Sequence, residues 1–335
     1  MIPAIFGLSG LTLTDDERAF FRDSDPAGYI LFGRNIENRE QLRRLTDDLR
    51  SLDGRANLPI LIDQEGGRVA RMKAPEWPDF PSGAAFDALY ERAPASAIEA
   101  ARLNAMALAA MLAEVGITVD CLPLLDVRQP GASDVIGDRA LGSEPMRVAA
   151  LGRAILSGLQ DGGVVGIVKH IPGHGRAMLD THEALPTVTA SDHDLQSDLA
   201  PFAALRDAAM AMTCHVIFDA WDPDRPATLS PVVIDTIIRQ RVGFHGLLMT
   251  DDLDMKALSG DVPSRAADAI AAGCDIALNC WAKMDDMIGI AEALDPISTL
   301  SLARLEGAMD RIAGDHDPRQ FAVLVDQRDA LFALA

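Results

Sequence analysis

The chain has 335 residues, of which 49% are hydrophobic and 24% are charged, a balance that excludes a disordered protein and leaves ample apolar material for a core. Its 30 basic and 50 acidic residues give a formal net charge of −20, and this negative field disfavours binding to nucleic acid or to an anionic membrane surface. An anionic small substrate stays compatible with this charge if Lys and Arg side chains gather locally.

Short apolar runs rich in β-forming residues alternate along the chain with helical patterns. The runs lie at residues 4–8, 28–32, 59–63, 118–126, 164–169, 211–217, 246–250 and 275–278. Several are continuous rather than alternating with polar residues, which is typical of parallel strands buried on both faces. They predict eight parallel strands.

Helical signals lie between most of these runs. Thr14, Asn38 and Ser230 each have the chemistry and spacing of a helix N-cap. Residues 95–115 and 146–159 predict helices that end near glycines.

Eight strands alternating with helices predict an α/β fold, a single (β/α)8 TIM-type barrel with extra C-terminal helices. One domain is expected over residues 1–335, with the barrel at about 4–283 and the outer helices at about 284–335. The alternative, a doubly wound sheet, is disfavoured because the first glycine-rich turn, at residues 7–10, lacks the GxGxxG pattern.

The cysteines and the N-terminal segment bear on the compartment. Four cysteines without a CxxC pair are no disulfide framework, and each lies in or beside an apolar run, so we expect buried free thiols. No signal peptide and no run of about 18 uncharged apolar residues is evident. These features predict a cytoplasmic protein with no membrane span.

Polar segments follow five of the predicted strands rather than precede them. They lie at residues 63–71, 126–139, 169–182, 214–215 and 250–252. Barrel enzymes build their sites at the carboxyl ends of the strands, so this arrangement predicts an enzyme.

Asp251 follows the apolar run at residues 246–250. Asp is favoured as a helix N-cap, but Asp252 is one step further into the turn and is the better cap candidate. We therefore expect Asp251 to point toward the barrel mouth, where a carboxylate can act as nucleophile or base.

Asp180 and His182 lie two residues apart in a segment between a glycine and a proline. One interpretation is a solvent-exposed loop histidine. The other is an Asp–His pair, in which the carboxylate raises the imidazole pKa from about 6.5. Such a group can donate a proton and later take it back near neutral pH.

Two more histidines, His170 and His174, lie at a strand end within Lys169 to Gly175. With His182 and His215, and with the carboxylates of Asp63 and Asp251, they could instead form a metal site. Against this, the chain contains neither a His-x-His nor an HExxH pattern.

Further charged residues at the strand ends suit a sugar. The carboxylate of Asp63 can accept two neighbouring hydroxyls, and Arg71, Arg139 and Lys169 can donate to hydroxyl, acetamido or carboxylate oxygens. For Arg68 a structural salt bridge to a neighbouring acid is the favoured interpretation.

Five motifs in chain order resemble those of glycoside hydrolase family 3, and more narrowly its single-domain bacterial β-N-acetylhexosaminidases. They are Asp63-Gln-Glu-Gly-Gly-Arg-Val69, Ile136-Gly-Asp-Arg139, Lys169-His-Ile-Pro-Gly-His-Gly175, Asp180-Thr-His182 and Thr250-Asp-Asp-Leu-Asp-Met255. The resemblance runs from about residue 4 to residue 280. Ile171, Thr181 and Thr250 depart from the commoner Phe, Ser and Ser, and none of these changes removes a reacting group.

The resemblance implies a retaining exo-β-N-acetylglucosaminidase with a covalent glycosyl–Asp intermediate and with no cofactor or metal. Asp251 would attack the anomeric carbon, and His182, paired with Asp180, would protonate the leaving oxygen and then activate water. The sugar would be held by Asp63, Arg71, Arg139, Lys169 and His170.

The resemblance also implies a substrate and a setting. The bacterial group removes terminal β-linked N-acetylglucosamine from N-acetylglucosaminyl-anhydromuramyl peptides during cytosolic peptidoglycan recycling. We therefore expect a sugar or muropeptide as the partner, neither nucleic acid nor membrane, and a monomer.

Three alternatives stay open. The chain could be a β-glucosidase or a glycoside phosphorylase of the same family. It could be a metal-dependent barrel hydrolase, as the four histidines would allow. It could also be a sugar-binding protein without catalytic activity, although the presence of Asp251, His182 and Asp180 argues against this.

Overall fold

The computed structural model describes residues 1–55, 57–181, 183–312 and 320–334. Within this part of the chain, strands and helices alternate as the sequence predicts. The strands are β1 (Ile2–Gly7), β2 (Pro26–Leu31), β3 (Ile60–Ile62), β4 (Val119–Asp120), β5 (Val165–Ile171), β6 (Thr187–Val188), β7 (Met210–Thr213), β8 (Ile217–Phe218), β9 (Asp222–Pro226), β10 (Leu247–Met249) and β11 (Ala277–Asn279).

The helices lie between the strands and after the last one. They are α1 (Asp15–Ser24), α2 (Arg39–Asp53), α3 (Gly83–Arg92), α4 (Pro94–Glu114), α5 (Pro145–Asp161), α6 (Asp192–Ala204), α7 (Val262–Ala272), α8 (Met284–Ala293), α9 (Thr299–Met309) and α10 (Gln320–Leu334). A π-helix covers Val233–Val242, and short 3-10 turns cover Gly33–Asn35, Gly137–Arg139 and Ala227–Leu229.

Eight of the strands form one parallel sheet in the order β10-β7-β5-β4-β3-β2-β1-β11. A parallel bridge between Met249 and Ile276 joins its two edges, so the sheet is nearly closed into a barrel. All eight predicted strands contribute to it, and the predicted (β/α)8 fold is confirmed.

Two apolar clusters lie on the two faces of this barrel. Ile5 and Ile30 belong to one cluster, while their chain neighbours Phe6 and Leu31 belong to the other, which also contains helix residues such as Leu42. Because alternate residues of a strand face opposite sides, the first cluster fills the barrel and the second lies between the strands and the helices.

The C-terminal helices cover parts of this framework. Leu305 and Met309 of α9 pack against the cluster inside the barrel. In α10, Phe321 lies against Phe80, with ring centroids 6.3 Å apart, and Phe332 lies against Phe86 of α3 at 5.4 Å. Among the described helices, α4 is the one long and apolar enough to cross a bilayer, and most of it is buried within the protein.

The predicted helix starts are found at the expected residues. Thr14 and Glu17 form a capping box at α1, and the Asn38 side chain accepts from Gln41 N at α2. The Ser230 hydroxyl accepts from Val233 N at the start of the π-helix, at 3.1 Å. The four cysteines are buried free thiols, as expected.

Several barrel strands are shorter than the apolar runs that indicated them, and two of these runs differ most from the structure. The run at 118–126 contributes only β4, because Pro123 has no N–H to donate to the hydrogen-bond ladder of the sheet. Beyond Pro123 the chain bonds to β5 again, where Leu125 N donates to Lys169 O at 2.6 Å. The run at 211–217 is divided between β7 and β8, and β8 belongs to a separate three-stranded sheet with β6 and β9.

Candidate active site

A cavity of about 620 Å³ opens at the carboxyl ends of the barrel strands. Seven of the eight predicted site residues line it, namely Asp63, Arg71, Arg139, Lys169, His170, Asp180 and Asp251. The eighth, His182, lies outside the described residues. The strand-end motifs thus converge on one site, because the carboxyl ends of parallel strands share one rim.

Lys169, near the end of β5, is the centre of a buried charge cluster. Its Nζ lies 3.1 Å from Asp63 Oδ1 and 2.7 Å from Glu65 Oε1, and its side chain is 2% exposed. Burial alone would lower the pKa of Lys169, but the charges of Glu65 and Asp63 outweigh burial and raise it. Lys169 is therefore a permanent cation at the floor of the cavity.

Two arginines complete this cluster. Arg139 binds both oxygens of Glu65, with Nε–Oε2 2.8 Å and Nη2–Oε1 2.7 Å, a bidentate pair. Arg71 Nη2 lies 3.0 Å from Asp63 Oδ2. Burial would raise the pKa of Asp63 and Glu65, but the cations around them lower both, so both carboxylates are ionised.

Gln64 explains why Arg71 reaches the cavity from a segment without regular structure. Its Oε1 accepts from Arg71 N at 2.8 Å and from Met72 N at 3.0 Å, and its Nε2 donates to Met72 O. Its own backbone N donates to Asp120 Oδ1 of β4. The guanidinium of Arg71 also lies 5.3 Å from the centroid of the Phe32 ring.

His170 is held by a buried carboxylate. Asp126 Oδ2 lies 2.7 Å from His170 Nδ1, and Oδ1 accepts from the backbone N of His170 at 3.2 Å and of His174 at 2.6 Å. Burial would raise the pKa of Asp126, but the His170 charge and its hydrogen bond lower it to about 2. His170 Nδ1 therefore carries a proton, and the ring orientation is fixed.

Asp251 follows β10 and lines the cavity. Its Oδ1 accepts from Asp252 N at 2.8 Å, and among the described residues it makes no ion pair. Burial would raise its pKa, but His170, the hydrogen bond from Asp252 N and the charge of Lys169 outweigh burial and lower it, so the carboxylate is ionised. It caps no helix, because α7 begins at Val262 with Asp261 as its N-cap.

The turn that contains Asp251 is held in place by His215. His215 Nε2 lies 2.9 Å from Asp252 O, and Nδ1 lies 2.8 Å from Thr228 Oγ1. Burial lowers the pKa of His215, so the ring is neutral. Because a carbonyl oxygen only accepts, Nε2 carries a proton and donates to Asp252 O.

The segment after β5 reaches the turn after β10. Thr181 O accepts from Ala257 N at 3.2 Å, and Asp180 O accepts from Glu183 N and Ala184 N. Asp180, Thr181 and Glu183 line the cavity. Thr181 and Glu183, the described residues next to His182 in the chain, therefore lie beside the cavity, and Thr181 contacts the turn that follows Asp251.

Within the described ranges, no group of three or more His, Cys, Asp or Glu side chains is arranged to hold a metal ion. His215 uses both ring nitrogens for contacts with Thr228 and Asp252. His170 uses Nδ1 for Asp126. These contacts disfavour the metal-dependent alternative, which needs several imidazole nitrogens directed at one point.

Arg68 forms the structural salt bridge that the sequence favoured. Its Nε lies 2.7 Å from Asp138 Oδ1, and its Nη2 donates to Asp134 O at 2.7 Å and to Val135 O at 2.8 Å. These bonds attach the segment after β3 to the segment after β4.

Sequence reasoning missed the partners that hold the site together. The sequence does not reveal that Glu65 binds both Lys169 and Arg139. Nor does it pair Asp126 with His170. Their only sequence signal was their place in the strand-end segments.

The comparisons with known proteins agree with this geometry. Residues 7–314 match the model of the glycosyl hydrolase family 3 N-terminal domain. The chain is 37% identical to the β-hexosaminidase of Aromatoleum aromaticum over 316 residues, which cover 92% of this chain and 87% of that one. It is also 37% identical to the β-hexosaminidase of Alkalilimnicola ehrlichii, over 91% of this chain and 88% of that one.

A solved structure is similar over nearly the whole length. NagZ from Neisseria gonorrhoeae, in complex with N-trifluoroacetyl-D-glucosamine, superposes with a TM-score of 0.89 at 31% identity, covering 99% of this chain and 98% of that one. The resemblance seen in the sequence motifs is thus confirmed over most of the chain. The chain belongs to glycosyl hydrolase family 3, and it is a glycosidase.

Proposed function

We propose that the chain is a retaining exo-β-N-acetylglucosaminidase that removes a terminal β-linked N-acetylglucosamine. The observation that carries the proposal is the position of Asp251, a carboxylate at the cavity wall that makes no ion pair among the described residues. Such a group is suited to attack an anomeric carbon. The similarity to β-hexosaminidases supports the choice of an N-acetylated sugar.

The charge cluster across the cavity suits the hydroxyls of a pyranose ring. Asp63 supplies an ionised acceptor, and Lys169 and Arg71 supply donors. A hydroxyl both donates and accepts, so a mixed cluster of this kind binds neighbouring hydroxyls better than a cluster of one sign. We propose that Asp63, Arg71, Arg139, Lys169 and His170 hold the sugar.

We propose His182, paired with Asp180, as the acid that protonates the leaving oxygen and the base that then activates water. This scheme departs from the usual pair of catalytic carboxylates. Its physical advantage is that a neutral imidazole adds no second negative charge beside Asp251. The described residues on either side, Thr181 and Glu183, both line the cavity, which supports a place for His182 within reach of it.

The proposed setting follows the similarity to the bacterial enzymes. We propose that the natural substrates are N-acetylglucosaminyl-anhydromuramyl peptides, that the enzyme acts in cytosolic peptidoglycan recycling, and that it works as a monomer. The four buried free thiols fit a reducing compartment.

A panel of aryl β-glycosides that differ only at the 2-position tests the reaction class and the acetamido preference together. We expect the highest kcat/KM for the N-acetylglucosaminide. Proton NMR of the first-formed sugar should show the β-anomer, since two displacements retain configuration. Preferred hydrolysis of the glucoside would instead indicate a β-glucosidase, and a sugar phosphate formed with added phosphate would indicate a phosphorylase.

Asp251→Ala should lower kcat by at least about 1,000-fold, because the variant has no nucleophile to form the glycosyl intermediate. The free energy of unfolding, measured in urea, should stay close to that of the wild type. Asp285→Ala, which removes an exposed carboxylate of α8, is the matched control and should leave kcat unchanged. Turnover near the wild-type rate in Asp251→Ala would remove this residue from the mechanism.

A further inference from the structure

Two carboxylates beside Asp251 converge on the chain that leaves β11. Asp252 Oδ1 accepts from Asp254 N at 3.1 Å and from Cys280 N at 3.2 Å, and its Oδ2 accepts from Trp281 Nε1 at 3.2 Å. Asp254 Oδ2 accepts from Asn279 Nδ2 at 2.7 Å and from Cys280 N and Trp281 N, both at 3.2 Å. The turn after β10 is therefore attached to the end of β11 by two acidic side chains.

These two carboxylates compete for one donor. Cys280 N–H has a single hydrogen, yet an oxygen of each carboxylate lies 3.2 Å from this nitrogen. The other oxygen of Asp254, Oδ1, is buried and has no hydrogen-bond partner within the described part of the chain. Two like charges side by side are costly, and so is a buried acceptor without a donor. A proton bound by one carboxylate removes one of the charges and can be donated to an oxygen of the other carboxylate.

The charged groups around the pair do not replace this proton. The charged ones are Asp251 on the same turn, Arg34 after β2, Lys283 after β11 and Arg265 of α7, and the other titratable ones are the Cys280 thiol after β11 and the His215 ring after β7. The Arg34 guanidinium donates to Leu8 O and to Cys280 O. Arg265 donates to the carbonyls of Leu253, Met255 and Leu258.

The electrostatics of Asp252 agree with the geometry. Burial, followed by the charge of Asp254, raises the pKa of Asp252 to about 7.

We propose that Asp252 and Asp254 share one proton at neutral pH and act together as positioning residues for Asp251. Asp252 N donates to Asp251 Oδ1 at 2.8 Å, so the orientation of the Asp251 carboxylate depends on where this turn lies. When the pair loses its proton, two adjacent negative charges next to a third one push the turn away from β11. The role given to Asp251 rests on the proposed function, whereas the shared proton does not.

The fluorescence of Trp281 reports whether the shared proton is bound, and this measurement does not depend on enzymatic activity. Its indole Nε1–H donates to Asp252 Oδ2, and its side chain is largely exposed. We expect the tryptophan fluorescence of the wild type to change in one step with a midpoint near pH 7. Trp281→Phe should lack this step, which separates it from signals of Trp77 and Trp221. A wild-type fluorescence that stays constant between pH 5.5 and pH 9 would overturn the shared proton.

Asp254→Asn tests the coupling, because the amide removes one of the two charges while keeping an oxygen for the three N–H donors. In this variant the fluorescence step should move by more than one pH unit to the acid side. The alkaline limb of kcat/KM, scaled to the variant's own maximum, should move by at least one pH unit to the alkaline side. Asp285→Asn, which removes the same charge from an exposed site, should move neither.

The outcomes separate this proposal from the proposed function. In the wild type, the midpoint of the fluorescence step and that of the alkaline limb should agree, a test that holds even where Asp254→Asn does not fold. An alkaline limb that stays in place in Asp254→Asn belongs to another group, such as an acid imidazole, and would overturn the positioning role. A wild type that hydrolyses no glycoside would refute the proposed function, while the fluorescence step would still decide whether the proton is shared.

Discussion

At the scale of single residues, the cavity keeps its carboxylates ionised by different means. Asp63 and Glu65 are in contact with buried cations, Lys169 above all. Asp251 makes no ion pair among the described residues, and its pKa is lowered by His170, by the hydrogen bond from Asp252 N and by Lys169 at longer range. A carboxylate in a tight ion pair is a poor nucleophile, because the cation must be displaced before it can react. This difference favours Asp251, rather than Asp63, as the reacting group.

Asp126→Asn should weaken catalysis through His170. With its amide oxygen placed at Oδ1, the variant still accepts from the backbone N of His170 and His174. The amide nitrogen then faces His170 Nδ1 and donates to it, so the ring proton moves to Nε2 and the carboxylate counter-charge is lost. We expect kcat/KM for an aryl N-acetylglucosaminide to fall about 10- to 100-fold, the equivalent of one charge-assisted hydrogen bond.

The tautomer of the His170 ring distinguishes this effect from general destabilisation of the protein. Proton and nitrogen NMR of labelled histidine should show His170 changing tautomer in Asp126→Asn, while the free energy of unfolding in urea gives the cost in stability. An unchanged tautomer together with an unchanged kcat/KM would contradict the role assigned to Asp126.

At the scale of secondary-structure elements, the segment after β5 depends on a close approach of two backbones. A Cβ added to Gly175 would lie 2.0 Å from Val127 O, in the segment after β4. The two segments are also joined by hydrogen bonds from Gln129 N to Gly175 O and from Ser133 N to Ala177 O. Gly175 therefore sets the path that leads to Asp180 and His182.

Gly175→Ala should move this path and misplace the residues beyond it. We expect kcat/KM to fall at least tenfold, since a displacement of about 1 Å in a catalytic group can cost about 100-fold. The free energy of unfolding should fall by about 1–3 kcal/mol. Gly10→Ala is the control, because a Cβ there meets nothing within 4 Å. Equal kcat/KM values for the two variants would refute the dependence on Gly175.

The elements differ in how far the sequence can predict them. The eight barrel strands coincide with short apolar runs, several of them continuous because both faces are buried, and all eight are predictable on that ground. The small sheet of β6, β8 and β9 is not predictable in this way. β6 and β8 have two residues each, and β9 has the sequence DPDRP, whose composition is unfavourable in strands.

At the scale of the whole molecule, the barrel explains why the site could be located from the sequence but not assembled in detail. Residues at strand ends must share a rim, so the grouping of Asp63, Lys169 and Asp251 follows from the strand predictions. The contact of Glu65 with Lys169 and that of Asp126 with His170 depend on the directions of side chains that come from different strands. Spacing along the chain does not determine those directions.

The free energy of unfolding of the whole molecule should depend on pH in part through the buried imidazole of His174. Burial, followed by the charge of His170, lowers the pKa of His174 to about 4. In the unfolded chain the pKa is about 6.5, so between pH 6.5 and pH 4 the unfolded state binds more protons than the folded state. The free energy of unfolding therefore falls as the pH is lowered through this window. A difference of about 2.5 pH units corresponds to at most about 3 kcal/mol from this residue.

His174→Gln isolates this contribution, because glutamine stays neutral at every pH. Urea unfolding at intervals between pH 7.5 and pH 4 should show the wild type losing stability relative to His174→Gln as the pH falls, since all other groups are common to both proteins. His245→Gln, which replaces an exposed histidine, should give a curve parallel to that of the wild type. Parallel curves for His174→Gln and the wild type would mean that His174 takes up its proton as readily in the folded protein as in the unfolded chain.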